Sequence, residues 1–213
     1  VADELSPESL DYTDAQQNAF NSLVQRLQES GIRFHHIHLQ NSAGIIRHPN
    51  PLCNLARMGI SMYGLSPSGD FQDILPVKPL MELKTIVTMV KEIPPGRSVS
   101  YGRNFISDRP MRIATVPIGY ADGLSRTLSN RMDVLYRGER VHQVGNICMD
   151  QFMVAIQSNP AHEIPEAEYG DEMIIVGRDG DAEITMDEMA RLRGTINYEV
   201  ACGFGMRLDK VYV

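Results

Sequence analysis

Lys78–Tyr101 reads KPLMELKTIVTMVKEIPPGRSVSY, and this stretch decides the fold because the period of the sequence changes across it. Apolar and polar residues alternate from Met81 to Val90, Pro94-Pro95-Gly96 supplies a turn, and Ser98–Tyr101 begins another short run. A period of two sends successive side chains to opposite faces of a strand. The signature returns at Arg112–Ile118, Asp133–Tyr136, Arg140–Val144, Gln151–Ile156 and Glu172–Val176. Arg137-Gly138-Glu139 between two of these runs is a hairpin signal, and short strands this closely spaced predict a sandwich or barrel. One helix interrupts them, from Thr185 to about Leu192, where Thr185 and Glu188 are spaced as a capping box.

Upstream of Lys78 the period is helical. Phe20, Leu23, Val24 and Leu27 show i, i+3, i+4, i+7 spacing within a helix expected from Thr13 to Ser30, with Thr13 and Gln16 as its capping box and Gly31 as its stop. Arg33–Leu39 reads as a strand, and Asn41-Ser42-Ala43-Gly44 as a polar turn that opens a short helix. A second strand is expected at Asn54–Met58, ending at Gly59, with a helical turn through Ile60–Tyr63 before Pro67-Ser68-Gly69-Asp70 breaks the pattern. Helix, strand, helix is the order of an α/β layer. The chain therefore divides near residue 77 into an α/β part, 1–77, and a mostly-β domain, 78–213.

Composition narrows the function. With 213 residues, 43% of them hydrophobic, the chain can bury a sizeable core. A net charge of −7 argues against a broad nucleic-acid footprint or an anionic membrane surface, so the expected partner is a small molecule or another protein. Cys53, Cys148 and Cys202 stand far apart, which predicts neither a disulfide framework nor a zinc site and fits a reducing compartment. No apolar run approaches the roughly 20 residues of a spanning helix, and Val1-Ala2-Asp3-Glu4 lacks the features of a signal peptide. A cytoplasmic location is expected. Opening on Val1 and an acidic loop, the chain reads as a fragment.

The residues that could carry chemistry gather at turns, where function concentrates. Ser42 beside a helix start and the backbone N–H groups near Gly59 could cradle a phosphate, although turn chemistry alone also explains Ser and Gly there. A phenol ionises near pKa ~10, so Tyr101 could act as a base only beside a cation; a tyrosine packing its ring at a domain edge is the commoner case. An arginine such as Arg57 is likewise more often a surface or ion-pair residue than a cofactor ligand. His36 and His38 share a strand face near His35, yet no third ligand accompanies them, and no metal is expected.

Six segments occur in the order found in one enzyme family. They are His38–Gly44 (HLQNSAG), Arg57–Gly64 (RMGISMYG), Val99–Gly102 (VSYG), Ile118–Gly123 (IGYADG), Cys148–Gln151 (CMDQ) and Asn197–Glu199 (NYE). Together they resemble alanine racemase, over nearly the whole chain. The resemblance implies an α/β fragment, the last part of a TIM-type (β/α)8 barrel, followed by the family's mostly-β C-terminal domain. It implies pyridoxal 5'-phosphate as cofactor. Asn41 and Ser42 would touch its phosphate, with the Gly59-Ile60 backbone and Tyr198, and Arg57 would meet its pyridine nitrogen. Tyr101 corresponds to the catalytic tyrosine, Tyr120 to the tyrosine that helps gate the entrance, and Met149 to the residue whose backbone contacts substrate.

The activity implied by this resemblance is a two-base interconversion of L-alanine and D-alanine that supplies D-alanine for peptidoglycan. Tyr101 would serve the face from which L-alanine loses its proton. A homodimer with shared sites is implied, with Tyr101 and Met149 reaching into the partner's barrel. Two departures stand out. The family's cofactor lysine lies in a K-A-x-A-Y-G-H-G segment without counterpart here, the lysines being Lys78, Lys84, Lys91 and Lys210, so these residues alone are expected to be inactive. Gly145-Asn146 stands where many members have Gly-Arg, and the arginine's role does not carry over. Serine or mixed alanine/serine racemisation and a non-catalytic dimerisation fragment are the alternatives; a related decarboxylase is disfavoured by Ser100-Tyr101-Gly102 and Cys148–Gln151.

Overall fold

The computed structural model describes residues 5–156 and 166–213. The chain forms two compact units that divide between Leu80 and Met81.

The first unit opens with helix α1, Pro7–Glu29. It begins two turns before the expected Thr13, because Ser6 is the cap: its Oγ accepts from the Ser9 N–H at 3.3 Å, and Pro7 comes next with φ already set for a helix. Thr13 lies inside, its hydroxyl donating to the Ser9 carbonyl at 2.8 Å. The two strands expected at Arg33–Leu39 and Asn54–Met58 are not strands. Those segments meet at separate points: the Asn54 and Leu55 N–H groups donate to Ile37 O at 3.0 and 3.3 Å, and Arg57 N–H donates to Gln40 O at 3.2 Å. Asn54 fills part of the gap with its side chain, accepting from Ile37 N–H at 2.8 Å and donating to His35 O at 2.9 Å. Apolar composition favours extended backbone, but a strand also needs a regularly repeated ladder to a neighbour. Between the two segments lies the expected short helix α2, Ser42–Arg47, and a 3-10 turn at Ile60–Tyr63 comes after the second.

The second unit is built on antiparallel strands: β1 Leu83–Ile86, β2 Met89–Ile93, β3 Ser98–Val99, β4 Phe105–Ile106, β5 Met111–Val116, β6 Asp133–Tyr136, β7 Glu139–Val144, β8 Phe152–Ile156, β9 Glu172–Asp179 and β10 Ala182–Ile184. Strands β3 and β4 form a small hairpin of their own; the others pair in the order β1-β9-β6-β7-β8-β5-β2, with β10 also on β9. Only Val87 and Thr88 separate β1 from β2, yet these strands end the path. Six inter-strand spacings would carry a flat sheet's ends roughly 29 Å apart. The three Cα steps from Ile86 to Met89 reach at most about 11 Å. The sheet therefore curls until its ends meet. Val87 N–H donates to Asp171 O at 2.8 Å and Thr88 N–H to Thr115 O at 2.9 Å, continuing both pairings through the link.

Register sorts the core. Ile113 pairs with Ala155 and Thr115 with Met153, while Ala114 pairs with Val154 and Val116 with Phe152 on the opposite face. Every residue of β8 is buried, as its continuous apolar run requires. Ile93, Val99, Met111, Ile113, Val144, Met153 and Ala155 pack into one cluster, with Phe105 against it, and this layer supports the β3–β4 hairpin. Arg137 and Gly138, both at positive φ (51° and 81°), form the two-residue turn between β6 and β7. Helices α3, Met186–Arg193, and α4, Asn197–Gly203, complete the unit. Thr185 caps α3, its Oγ1 accepting from Glu188 N–H at 3.0 Å, but only this half of the expected capping box is seen: the Glu188 carboxylate accepts from Arg140 at 2.6 and 2.7 Å.

Candidate active site

In the first unit the candidate phosphate ligands sit on two adjoining loops. Asn41 caps α2, its Oδ1 accepting from Gly44 N–H at 2.9 Å, so that oxygen is engaged within the loop. Ser42 is buried, and its Oγ accepts from Gly59 N–H at 3.0 Å and from Ser61 N–H at 3.4 Å. A hydroxyl that accepts twice still has its own proton to donate. The neighbouring Ser61 Oγ is buried without a hydrogen-bond partner among the described residues. Two hydroxyls with protons to give, beside the Gly59-Ile60 backbone, suit a phosphate. Arg57 donates from Nη2 to Leu39 O at 2.9 Å, which anchors the exposed guanidinium to the loop that leads to Asn41.

Tyr198 lies half-buried on α4 in the second unit and shares no loop with these residues. None of the four lysines lies on the two loops. Lys84, on β1, is engaged with Glu172 at 3.3 Å and Glu82 at 3.5 Å, and those carboxylates, Glu172 first, hold its ammonium above the ordinary range.

The second unit brings Tyr101, Tyr120 and Met149 together on one open cavity of about 610 Å³, with Arg126 and Asn146 in the same wall. Tyr101 is 77% exposed. Its loop is strained: Ser100 has φ 66° and ψ 178°, Gly102 has φ 75° and Arg103 has φ 51°. For non-glycine residues such backbone costs on the order of 1–3 kcal/mol each and persists only where surrounding bonds enforce it. Here the bonds come from the segment after β7. The Ser100 hydroxyl donates to Asn146 O at 2.7 Å and lies 3.4 Å from Cys148 Sγ.

Close approach of the other two loops rests on Gly119. A Cβ there would lie 2.3 Å from the carbonyl oxygens of Cys148 and Met149. Without one, Tyr120 N–H and Ala121 N–H donate to those same oxygens, each at 3.0 Å. Buried Asp122 accepts from Gly119 N–H at 2.8 Å. Arg207 bridges Asp122 at 3.2 Å and Asp150 at 2.5 Å, and the two carboxylates, Asp150 first, raise its already high pKa. Sequence reasoning missed Arg126 and Arg207. Arg126 stands three residues past Gly123, a position that only the folded loop turns into the cavity wall.

Similarity to known proteins covers both units. Residues 80–212 match the family model described as alanine racemase, C-terminal domain, and residues 1–67 the one described as alanine racemase, N-terminal domain. The alanine racemase of Geobacter sp. (strain M21) is 41% identical over 215 aligned residues, spanning 100% of this chain and 55% of its own length. The solved alanine racemase of Bacillus anthracis with bound L-Ala-P superimposes with a TM-score of 0.87 at 36% identity, over 97% of this chain and 51% of that one. The Clostridium difficile 630 alanine racemase in complex with cycloserine does so with a TM-score of 0.87 at 40% identity, over 98% and 53%. The chain thus spans about half the length of the relatives it matches.

Proposed function

The chain belongs to the alanine racemase family, and from that membership we propose that the protein containing these residues interconverts L- and D-alanine with pyridoxal 5'-phosphate. The observation that carries the reading is the convergence of Tyr101, Tyr120 and Met149, from three segments remote in sequence, on one cavity around an exposed phenol. Arg126 lines the same wall.

The phosphate of the cofactor would fit the hydroxyls of Ser42 and Ser61 and the Gly59-Ile60 backbone, with Asn41 shaping that loop. When bound, pyridoxal phosphate supplies an electron sink for the charge left on the α-carbon as its proton departs. Arg57 would meet the ring nitrogen and disfavour its protonation, since a guanidinium is permanently charged and donates protons poorly. Tyr101 Oη takes the α-proton from L-alanine and returns one to the same face in the reverse direction. The opposite face requires a lysine from the K-A-x-A-Y-G-H-G segment, which these 213 residues do not contain. The Met149 backbone orients the substrate and Tyr120 narrows the entrance. The site is completed in a homodimer, where Tyr101 and Met149, both exposed on this chain, serve the partner's cofactor. The role is supply of D-alanine for peptidoglycan, in the cytoplasm. The free thiols of Cys53, Cys148 and Cys202 suit a reducing compartment, and no described helix is long and apolar enough to cross a membrane.

Racemisation of alanine, serine and a basic amino acid by the full-length protein with pyridoxal phosphate tests the reading. Preference for alanine, abolished in Tyr101→Phe with cofactor absorbance retained, is the expected result. Alanine turnover unchanged in Tyr101→Phe would overturn it.

A further inference from the structure

One residue holds the strained loop of Tyr101 at three points. Asn146 donates from Nδ2 to Tyr101 O at 2.7 Å, accepts at Oδ1 from Asn104 Nδ2 at 2.7 Å, and accepts at its own carbonyl from the Ser100 hydroxyl at 2.7 Å. The amide thus spends a donor on one side of the turn and an acceptor on the other, a pair that the isosteric carboxylate of an aspartate cannot reproduce, because once ionised it only accepts.

Asn146 is itself fixed from behind. Gly145 N–H donates to Asn130 Oδ1 at 2.6 Å, Gly145 O accepts from the fully buried Gln143 Nε2 at 2.8 Å, and Ile147 N–H donates to Ser129 Oγ at 3.0 Å. Gln143 also accepts from Asn130 N–H at 2.6 Å, closing the network. Rigidity built around Gln143 therefore passes through one side chain to the carbonyl of Tyr101.

We infer that Asn146 is a positioning residue for Tyr101, fixing through the Tyr101 carbonyl where the phenol stands in the cavity. The inference rests on the proton-transfer role proposed for Tyr101. An arginine at this position could not make the same bonds, because guanidinium donates but does not accept. The loop carrying the proton-transfer tyrosine is thus secured in this chain by a neutral donor–acceptor pair.

The test uses the full-length holoenzyme and its Asn146→Ala, Asn104→Ala and Tyr101→Phe variants, assayed in both directions with α-protiated and α-deuterated alanine. Asn146→Ala is expected to lower turnover by about tenfold, short of the roughly hundredfold that a full ångström of misplacement costs. It should also raise the α-deuterium isotope effect with L-alanine and not with D-alanine, because only proton transfer at the Tyr101 face is slowed. Asn104→Ala should shift both quantities in the same direction by less, and the same criteria apply to it if Asn146→Ala does not fold. Parent-like turnover and isotope effects would overturn the inference. So would a fall in turnover with both isotope effects unchanged, which is what a smaller folded fraction produces. Full L-alanine turnover in Tyr101→Phe would instead remove the reading beneath the inference.

Discussion

Gly145 is where the two loops behind Tyr101 come closest. Its φ is +78°, and a Cβ there would lie 2.8 Å from both Ser100 Cβ and Val99 O. Gly145→Ala is expected to cost roughly 1–2 kcal/mol from the left-handed backbone alone, with the contact adding to it. A lower urea midpoint and a proportionally larger loss of turnover should result, since the displaced loop carries Tyr101. An unchanged midpoint would contradict the tight approach seen here. Tyr101, Tyr120 and Met149 were legible in the sequence because each sits in a short local motif. Arg126 was not, and Asn146 stood out only as a departure from the family pattern, because their surroundings are made by folding: the bond from Asn146 to Tyr101 spans 45 residues.

At the scale of elements, caps were readable where a polar residue directly precedes a periodic run. Thr185 is such a case, and Thr185→Ala should cost about 1 kcal/mol of stability by removing the acceptor for Glu188 N–H. Thermal unfolding measures it, and an unshifted midpoint would mean the cap is dispensable. Ser6-Pro7 gives no such signal because no apolar period begins at once, and α4 gives none because Asn197–Gly203 is too short to show one. The β6–β7 hairpin carries a pH dependence. His142 and Asp133 bond at 2.8 Å, raising the imidazole above its ordinary 6.5 and lowering the carboxyl below its ordinary 3.8. The raised histidine contributes stability fully present below pH 6.5 and lost as pH climbs through its folded value; the lowered aspartate contributes stability present above 3.8 and lost as pH falls through its own. His142→Gln should therefore lower the melting temperature most between pH 3.8 and 6.5 and least in mild alkali. Half-exposure of the imidazole keeps the effect small. An equal deficit at every pH would exclude the ion pair as its source.

For the molecule as a whole, the sequence announced many short strands and a change of character near Lys78, but not which strand lies beside which. Pairings such as β1 with β9 join residues far apart in the chain, and nothing local encodes them. The closure of the sheet emerges only when the path is counted against the two-residue link between β1 and β2. In the first unit local patterns predicted two strands that do not form, because a ladder depends on neighbours that local pattern does not encode. Family membership then identifies that unit as a piece of the barrel domain preceding the β domain. One consequence is chemical. The 213 residues by themselves, incubated with pyridoxal phosphate and alanine, should give no racemisation and no borohydride-stable adduct at a defined lysine; either product would contradict the division of labour proposed for the two faces.

That division is tested most directly by exchange of the α-proton in deuterated water, catalysed by the full-length Tyr101→Phe holoenzyme and tracked separately for the two enantiomers by NMR. With the phenol removed, D-alanine should still exchange its α-proton through the opposite face, while exchange from L-alanine and racemisation both collapse. L-alanine exchanging at the parent rate would contradict the assignment of Tyr101.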